Sequence, residues 1–188
     1  FLRVHGESTA SVGTWLGLTA ITAGWFGVTA GGVISDWLKN RSPHGRLLCG
    51  LFAATAPVPT AFVLFTTSDV QVAYYANFAF TIFSSFWIGS AIALCNELVI
   101  PRMRGTASAT YILVVTFIGL ALGPFTIGRI STSLELGGMA SGEALRSGML
   151  WGLGGYAVAV TFLLLSMRYI NADETSRLER ARAFGEAV

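Results

Sequence analysis

Charge is what this sequence has least of. Only 12% of its 188 residues are Asp, Glu, Lys or Arg, about half the fraction usual in a soluble domain. That shortage excludes an ordinary water-facing surface. The net charge of +2 is too small to point to nucleic acid, and no basic stripe lies on a soluble segment. Cysteine is nearly absent. Cys49 and Cys95 both fall inside apolar runs, so they read as small buried residues and not as a disulfide framework. Histidine is as scarce. His5 and His44 lie in terminal and loop positions without a Cys or carboxylate cluster beside them, so no metal site is expected. There is no H-E-x-x-H, no G-x-S-x-G and no G-x-x-x-x-G-K-[ST], so no catalytic residue and no cofactor are expected. No carboxylate sits in the middle of an apolar run. Glu97, at the end of one, comes nearest. An embedded acid that couples to protons would have to lie outside these residues.

What the sequence has in excess is apolar length. Residues 8–35, 47–68, 70–96, 105–128 and 147–167 form uncharged or nearly uncharged runs. About 20 apolar helical residues cross a hydrocarbon core. The Gly and β-branched content of these runs would suit strands in water, but in lipid a segment must satisfy its own backbone, which favours helix. The expected fold is therefore an all-α integral membrane domain with about five transmembrane helices. It would occupy residues 1–170 and be followed by a tail, 171–188. The tail is mostly polar and reads as a short surface helix or a frayed end. The chain begins Phe1-Leu2-Arg3 without an initiator Met, and no n-region or cleavage site precedes the first run. We therefore expect it to be incomplete and without a signal peptide.

The charges sit in the connections and set an orientation. Lys39, Arg41 and Arg46 follow the first run, Arg102 and Arg104 follow the third, and Arg168, Arg177, Arg180 and Arg182 follow the fifth. The turn near Asp69 has no base, and residues 129–146 balance Arg129 and Arg146 against Glu135 and Glu143. The positive-inside rule then places the three basic segments, including the C-terminus, in the cytoplasm of a multi-pass cell-membrane protein, in the inner membrane if the source is bacterial.

Three of the runs carry a readable feature, while the second and fifth have few polar groups and look like supporting helices against lipid. In the first, Gly13, Gly17, Ala20, Gly24, Gly27 and Gly31 recur at helical spacing and suit close helix approach. Trp15, Thr19, Thr22, Phe26 and Thr29 recur half a turn away. That second face either meets lipid and neighbouring helices or lines a cavity. In the third run Tyr74, Asn77, Thr81 and Ser84 share a face, and an amide in mid-membrane needs a partner, so this face should turn inward. It serves either interhelical hydrogen bonding or a wet pathway. The fourth run carries Gly119, Gly123, Pro124 and Gly128 as G-x-x-x-G-P-x-x-x-G. Pro kinks a helix, and flanking Gly lets it bend, so this is a candidate hinge.

Two loops carry a resemblance. Gly31-Gly32-Val33-Ile34-Ser35-Asp36-Trp37-Leu38-Lys39-Asn40-Arg41 resembles the G-x-x-x-D-R-x-G-R-R loop of the major facilitator superfamily. Gly32, Asp36 and Arg41 match, while Trp37 and Lys39 depart from the usual Arg and Gly, as suits the weaker second copy of that loop. The stretch Val99-Ile100-Pro101-Arg102-Met103-Arg104-Gly105-Thr106-Ala107-Ser108-Ala109, leading into the Gly-Pro run, looks like the Spinster-like branch, especially with Arg3-Val4-His5-Gly6 upstream. The resemblance implies the end of the seventh helix and helices 8–12 of a twelve-helix fold. Its partners would be membrane lipid, the missing N-terminal half of the same transporter and a small-molecule substrate, with no nucleic acid.

The implied activity is secondary transport by alternating access of a small organic or amphipathic lipid-like solute, because Spinster-like relatives include carriers of lysolipids and sphingoid phosphates. In that family the acid matched by Asp36 docks on a helix start in the other half, and Arg104-Gly105 would receive the corresponding acid. On this reading Gly32, Asp36, Arg41, Arg104 and Gly105 form latch positions. The expected cavity lining in this half is Trp15, Thr22, Tyr74, Asn77, Thr81 and Tyr111. A rival reading has Asp36 paired only with Arg41 or Arg46 at a surface, which contributes little. The competing classes are a passive polytopic subunit and an intramembrane enzyme. The enzyme would need paired ionisable residues inside the runs, and none is present.

Overall fold

The computed structural model describes residues 1–183. Five helices are long and apolar enough to cross a membrane: α1 (Thr9–Lys39), α2 (Gly45–Thr66), α3 (Val70–Glu97), α4 (Pro101–Leu136) and α5 (Ser141–Ala183). A short helical turn, Leu2–His5, precedes them and ends at Gly6 with φ +66°. No strand occurs among the described residues. The expected all-α membrane architecture with five spans is therefore present.

The helix starts follow from local chemistry. Ser8 caps α1 by accepting from the Ser11 N–H at 3.1 Å, and Asp69 caps α3 by accepting from the Gln71 and Val72 N–H groups at 2.8 and 3.3 Å. These side chains satisfy donors that a helix start leaves orphaned. The spans are also interrupted. α2 breaks at Ala56, before Pro57, whose ring and missing N–H end the preceding ladder. α3 breaks at Phe86, and α5 at Leu153. α1 is π-helical over Ala20–Gly24, and α4 is π-helical over Val115–Leu122, immediately before Gly123-Pro124.

The core sits where α1, α2 and α3 meet near the basic loops. Cys49, Ala53 and Phe86 are buried together, with Ala30, Leu38, Ile82 and Trp87 against them. Cys49 Sγ donates to the Gly31 carbonyl at 3.5 Å. The glycine stripe of α1 divides. A Cβ at Gly31 would lie 2.5 Å from the Phe86 carbonyl oxygen, and one at Gly27 would strike the Ile82 carbonyl. Gly13, Gly17 and Gly24 face open space. Close approach thus occurs in the half of α1 nearer the basic loops.

Two helices extend further than the apolar runs suggest. Arg129 and Arg146 lie in helix, and the connection between α4 and α5 shortens to residues 137–140, with Gly138 at φ +93°. Apolar runs end at the first charge, but backbone hydrogen bonding does not, so the helices continue past the hydrocarbon zone. For the same reason α5 does not fray after Met167. It runs as one helix from Gly154 to Ala183. Of the expected tail, 171–188, the last five residues lie outside the described residues. On the outside of the bundle, Ile21, Trp25, Leu120 and Trp151 are each more than 70% exposed, a surface that only lipid or another apolar protein face would cover. This is a multi-pass membrane protein.

Candidate functional site

Two regions gather polar side chains. The first lies at the basic end. Arg46, at the start of α2, is only 12% exposed along its side chain. Its Nη1 donates to Asp36 Oδ1 at 2.8 Å, and its Nη2 donates to Glu97 Oε1 at 2.8 Å. One guanidinium therefore joins the ends of α1, α2 and α3. Nη1 also reaches Ser35 Oγ at 3.4 Å. Lys39 lies 3.9 Å from Glu97 Oε2 and donates to Glu174 Oε1 at 3.1 Å, which extends the network to α5. His44 Nε2 lies 3.2 Å from the Met167 carbonyl and ties the α1–α2 loop to the same helix. Asp36 itself stays 67% exposed. Arg41 turns away and stacks over Trp37, with its guanidinium carbon 3.7 Å from the ring centroid.

The acceptor side proposed by resemblance is also open. Arg104, Gly105 and Thr106 begin the helical part of α4 and are exposed. Nothing lies within 4 Å of a Cβ built at Gly105 or at Gly32. Gly89 of α3 does come close to Gly32, since its Cβ would lie 3.4 Å from the Gly32 Cα. Ser108 Oγ donates to Asn96 Oδ1 at 2.9 Å and fastens α4 to α3 just above this surface.

The second region lies at the opposite end, between α1 and α3. Tyr74 is stacked between Phe1, at 4.5 Å, and Trp15, at 5.0 Å. With Glu7, Ser11, Gln71 and Tyr75 they border a cavity of about 250 Å³, of which Phe1 is not a lining residue. Tyr74 is 7% exposed, and its hydroxyl has no hydrogen-bond partner among the described residues.

Of the six expected cavity residues, the structure brings only Trp15 and Tyr74 together. Asn77 borders a separate space of about 200 Å³ with Leu16, Phe65, Arg146 and Met149. Arg146 there donates to the Thr67 carbonyl. Burial chiefly, with the positive charge of Arg146 adding to it, holds the nearby His5 imidazole below the ordinary histidine range. Tyr111 borders a third, apolar cavity of about 420 Å³ with Leu47, Ala54, Trp87, Leu94 and Leu163. Its hydroxyl too lacks a partner among the described residues. Thr22 and Thr81 donate to their own helix, to the Leu18 and Asn77 carbonyls at 2.7 and 2.8 Å. Hydroxyls spent this way do not bridge helices.

Sequence reasoning passed over Glu7 and Gln71, which lie near or beyond the start of α1 and α3, and placed Tyr75 only beside the polar face of the third run. It read Lys39 as a loop charge and Arg46 as a surface partner for Asp36, a pair the structure contains, but not as a link to Glu97. The available signal was that Glu97 ends a span and needs a basic partner.

No family model matches the chain. It is 30% identical over 147 residues to an MFS-type efflux pump of Mycolicibacterium smegmatis, across 77% of this chain and 34% of that protein. It is 33% identical over 133 residues to protein spinster homolog 3 of Danio rerio, across 69% of this chain and 26% of that one. Both similarities support the major facilitator superfamily as the chain's family. Its similarity to a spinster homolog agrees with the Spinster-like loop sequences around Asp36 and Arg104. The chain spans about a third or less of the length of the curated relatives it matches.

Proposed function

We propose that this chain is most of the C-terminal half of a secondary active transporter. It would correspond to helices 8–12 and work by alternating access against an N-terminal half. The observation that carries the reading is the pairing of a three-helix charge hub at Arg46 with an unfilled face on α4. No residue in the central apolar window of α4 is buried. Nothing lies within 4 Å of a Cβ at Gly119, Gly123 or Gly128. A small-residue stripe of that length suits close packing of another helix. The apolar cavity between α2, α3, α4 and α5 leaves room for further apolar side chains on the same side. The partner half would fill both.

On this reading the basic end is cytoplasmic, as is the C-terminus. The hub keeps α1, α2 and α3 together at that end, while Asp36 keeps an exposed carboxylate for a helix start in the partner half. Arg104-Gly105 would receive the matching acid. Rocking of the two halves would break and remake these contacts and expose a mid-membrane site alternately. The π-helical stretch of α4 before Gly123-Pro124 supplies a candidate hinge inside the moving half. The solute is a small organic or amphipathic molecule, consistent with the aromatic and hydroxyl groups on α1 and α3. No paired ionisable groups lie in mid-span among the described residues to favour intramembrane catalysis.

The test uses the full-length transporter reconstituted in liposomes. Uptake should be saturable for at least one organic or lysolipid solute, and should fall when Asp36→Asn removes the latch charge. A full-length protein that moves no organic solute under either a proton or a sodium gradient would sink the proposal.

A further inference from the structure

We propose that the cavity between the starts of α1 and α3 binds an organic cation, a quaternary or protonated amine, through Glu7 and the ring faces of Trp15 and Tyr75. The biological use of such a site rests on the transporter reading, but the binding itself does not.

The residues come together from two helices and the segment before them. Glu7 precedes the Ser8 cap, Ser11 and Trp15 lie one and two turns into α1, and Gln71, Tyr74 and Tyr75 lie in the first two turns of α3. Glu7 is half-buried and makes no ion pair among the described residues. Both faces of Tyr74 are covered, by Phe1 and by Trp15. The ring faces left open are therefore on Trp15, 46% exposed, and Tyr75, 70% exposed. Aromatic faces carry negative electrostatic potential and attract a cation, more strongly as water is excluded. A carboxylate at the rim adds a full negative charge. Tyr74 borders the cavity, and its hydroxyl is buried without a partner among the described residues.

The other ligand classes fit less well. An anion would meet the Glu7 charge. A neutral solute would leave that carboxylate without a counter-charge. A bare divalent ion wants six or more oxygen ligands, or several carboxylates, and this site offers one carboxylate among ring faces. An organic cation uses both the carboxylate and the open ring faces. The plainer alternative is an aromatic belt at the membrane boundary. A belt calls for neither a carboxylate among the rings nor a buried hydroxyl without a partner.

The experiment measures equilibrium binding of radiolabelled benzyltrimethylammonium to the full-length transporter purified in detergent. Gel filtration and thermal melting confirm that each variant is folded. Saturable binding is expected. Glu7→Gln should weaken it at least tenfold, Glu7→Asp should restore part of the affinity, and Tyr75→Leu should weaken it where Tyr75→Phe does not. Wild-type affinity in Glu7→Gln, or equal losses in Tyr75→Leu and Tyr75→Phe, would overturn the proposal. Absence of saturable binding in the wild-type protein would do so too and would leave the rings as a belt. Asp36→Asn keeps the two readings apart, because it should slow uptake and leave benzyltrimethylammonium affinity unchanged. Binding lost while another solute is still carried overturns this site alone. Binding intact with no uptake of any solute overturns the transport reading alone.

Discussion

The Arg46 guanidinium lies 2.8 Å from the Glu97 carboxylate and so joins the first turn of α2 to the last turn of α3. Arg46 is mostly buried and Glu97 is about a third exposed, so this arm is partly shielded from solvent. Removing one member leaves the other with a poorly hydrated charge. Arg46→Gln should therefore destabilise the protein by about 1–3 kcal/mol, the range for leaving a buried polar group without its partner. Chemical denaturation in detergent checks this. A double-mutant cycle should give stronger coupling of Arg46 to Glu97 than to the more exposed Asp36. Equal coupling to both would mean that burial does not distinguish the two arms.

Asp36 carries the opposite expectation. Its side chain is 67% exposed, and an ion pair in that setting contributes about 0–1 kcal/mol. Asp36→Asn should leave expression and melting temperature close to wild type. If Asp36 also latches onto the partner half, uptake by the full-length protein should fall by about tenfold, which corresponds to roughly 1.4 kcal/mol. Wild-type uptake would reduce Asp36 to its surface pair with Arg46.

The glycine stripe of α1 separates into positions that tolerate a methyl group and positions that do not. At Gly31 a Cβ would press on the backbone carbonyl of Phe86, which cannot swing aside as a side chain would. Gly31→Ala should cost about 1–3 kcal/mol by overpacking. At Gly17 nothing lies within 4 Å, and Gly17→Ala should stabilise the isolated chain by about 0.4–1 kcal/mol through the unfolded state. Comparing the melting temperatures of both variants tests the assignment. A Gly17→Ala variant that melts lower than wild type would show a helix packed there in the folded protein.

These cases show what the sequence could and could not reveal. Five long runs poor in charge were legible because the bilayer imposes a length and a polarity on any span. The Asp36 and Arg104 loops were legible as a pattern. The division of the α1 stripe was not, because Gly13 and Gly31 look alike until a neighbouring backbone is placed beside one of them. The cavity residues scattered for a related reason. Helical spacing puts Tyr74, Asn77 and Thr81 on one face, but that face meets different neighbours at each level, so Tyr74 joins Trp15 while Asn77 joins Met149. Glu7 was hidden, and Arg46 was legible only as a surface partner for Asp36, because a charge beside a span reads as a solvated flank. Only the fold shows that Arg46 is shielded and that Glu7 stands among rings.

Asn77 tests whether the α3 polar face serves packing or passage. Its side chain borders a small space beside Leu16, Phe65 and Met149, half-buried and next to Arg146. In an apolar setting an amide without good partners costs about 1–3 kcal/mol. If the face is packing, Asn77→Leu should raise the melting temperature and leave substrate affinity untouched. If it lines the pathway, affinity should shift with little change in stability. Measuring both in the full-length transporter decides between them, and the alternating-access proposal expects the second outcome.

The last prediction concerns the π-helical stretch of α4 and the proline that follows it. Pro124 has no N–H to offer the Leu120 carbonyl, and the eight residues before Gly123 adopt π-helical hydrogen bonding, with the Gly123 N–H bonded back to Gly119. Pro124→Ala would restore a donor and remove the ring, so the helix can close into a regular α ladder. Proline in a helix interior costs about 3 kcal/mol relative to alanine, and a proline kept against that cost needs a use. If the use is movement, Pro124→Ala should raise the melting temperature by several degrees and slow uptake. Gly119→Ala, facing open space on the same helix, should raise stability less and slow uptake in proportion to its stiffening. If Pro124→Ala lowers the melting temperature, the ring is filling space and the proline is a packing feature. If it raises the melting temperature and uptake stays at the wild-type rate, α4 moves as a rigid body and the hinge lies elsewhere.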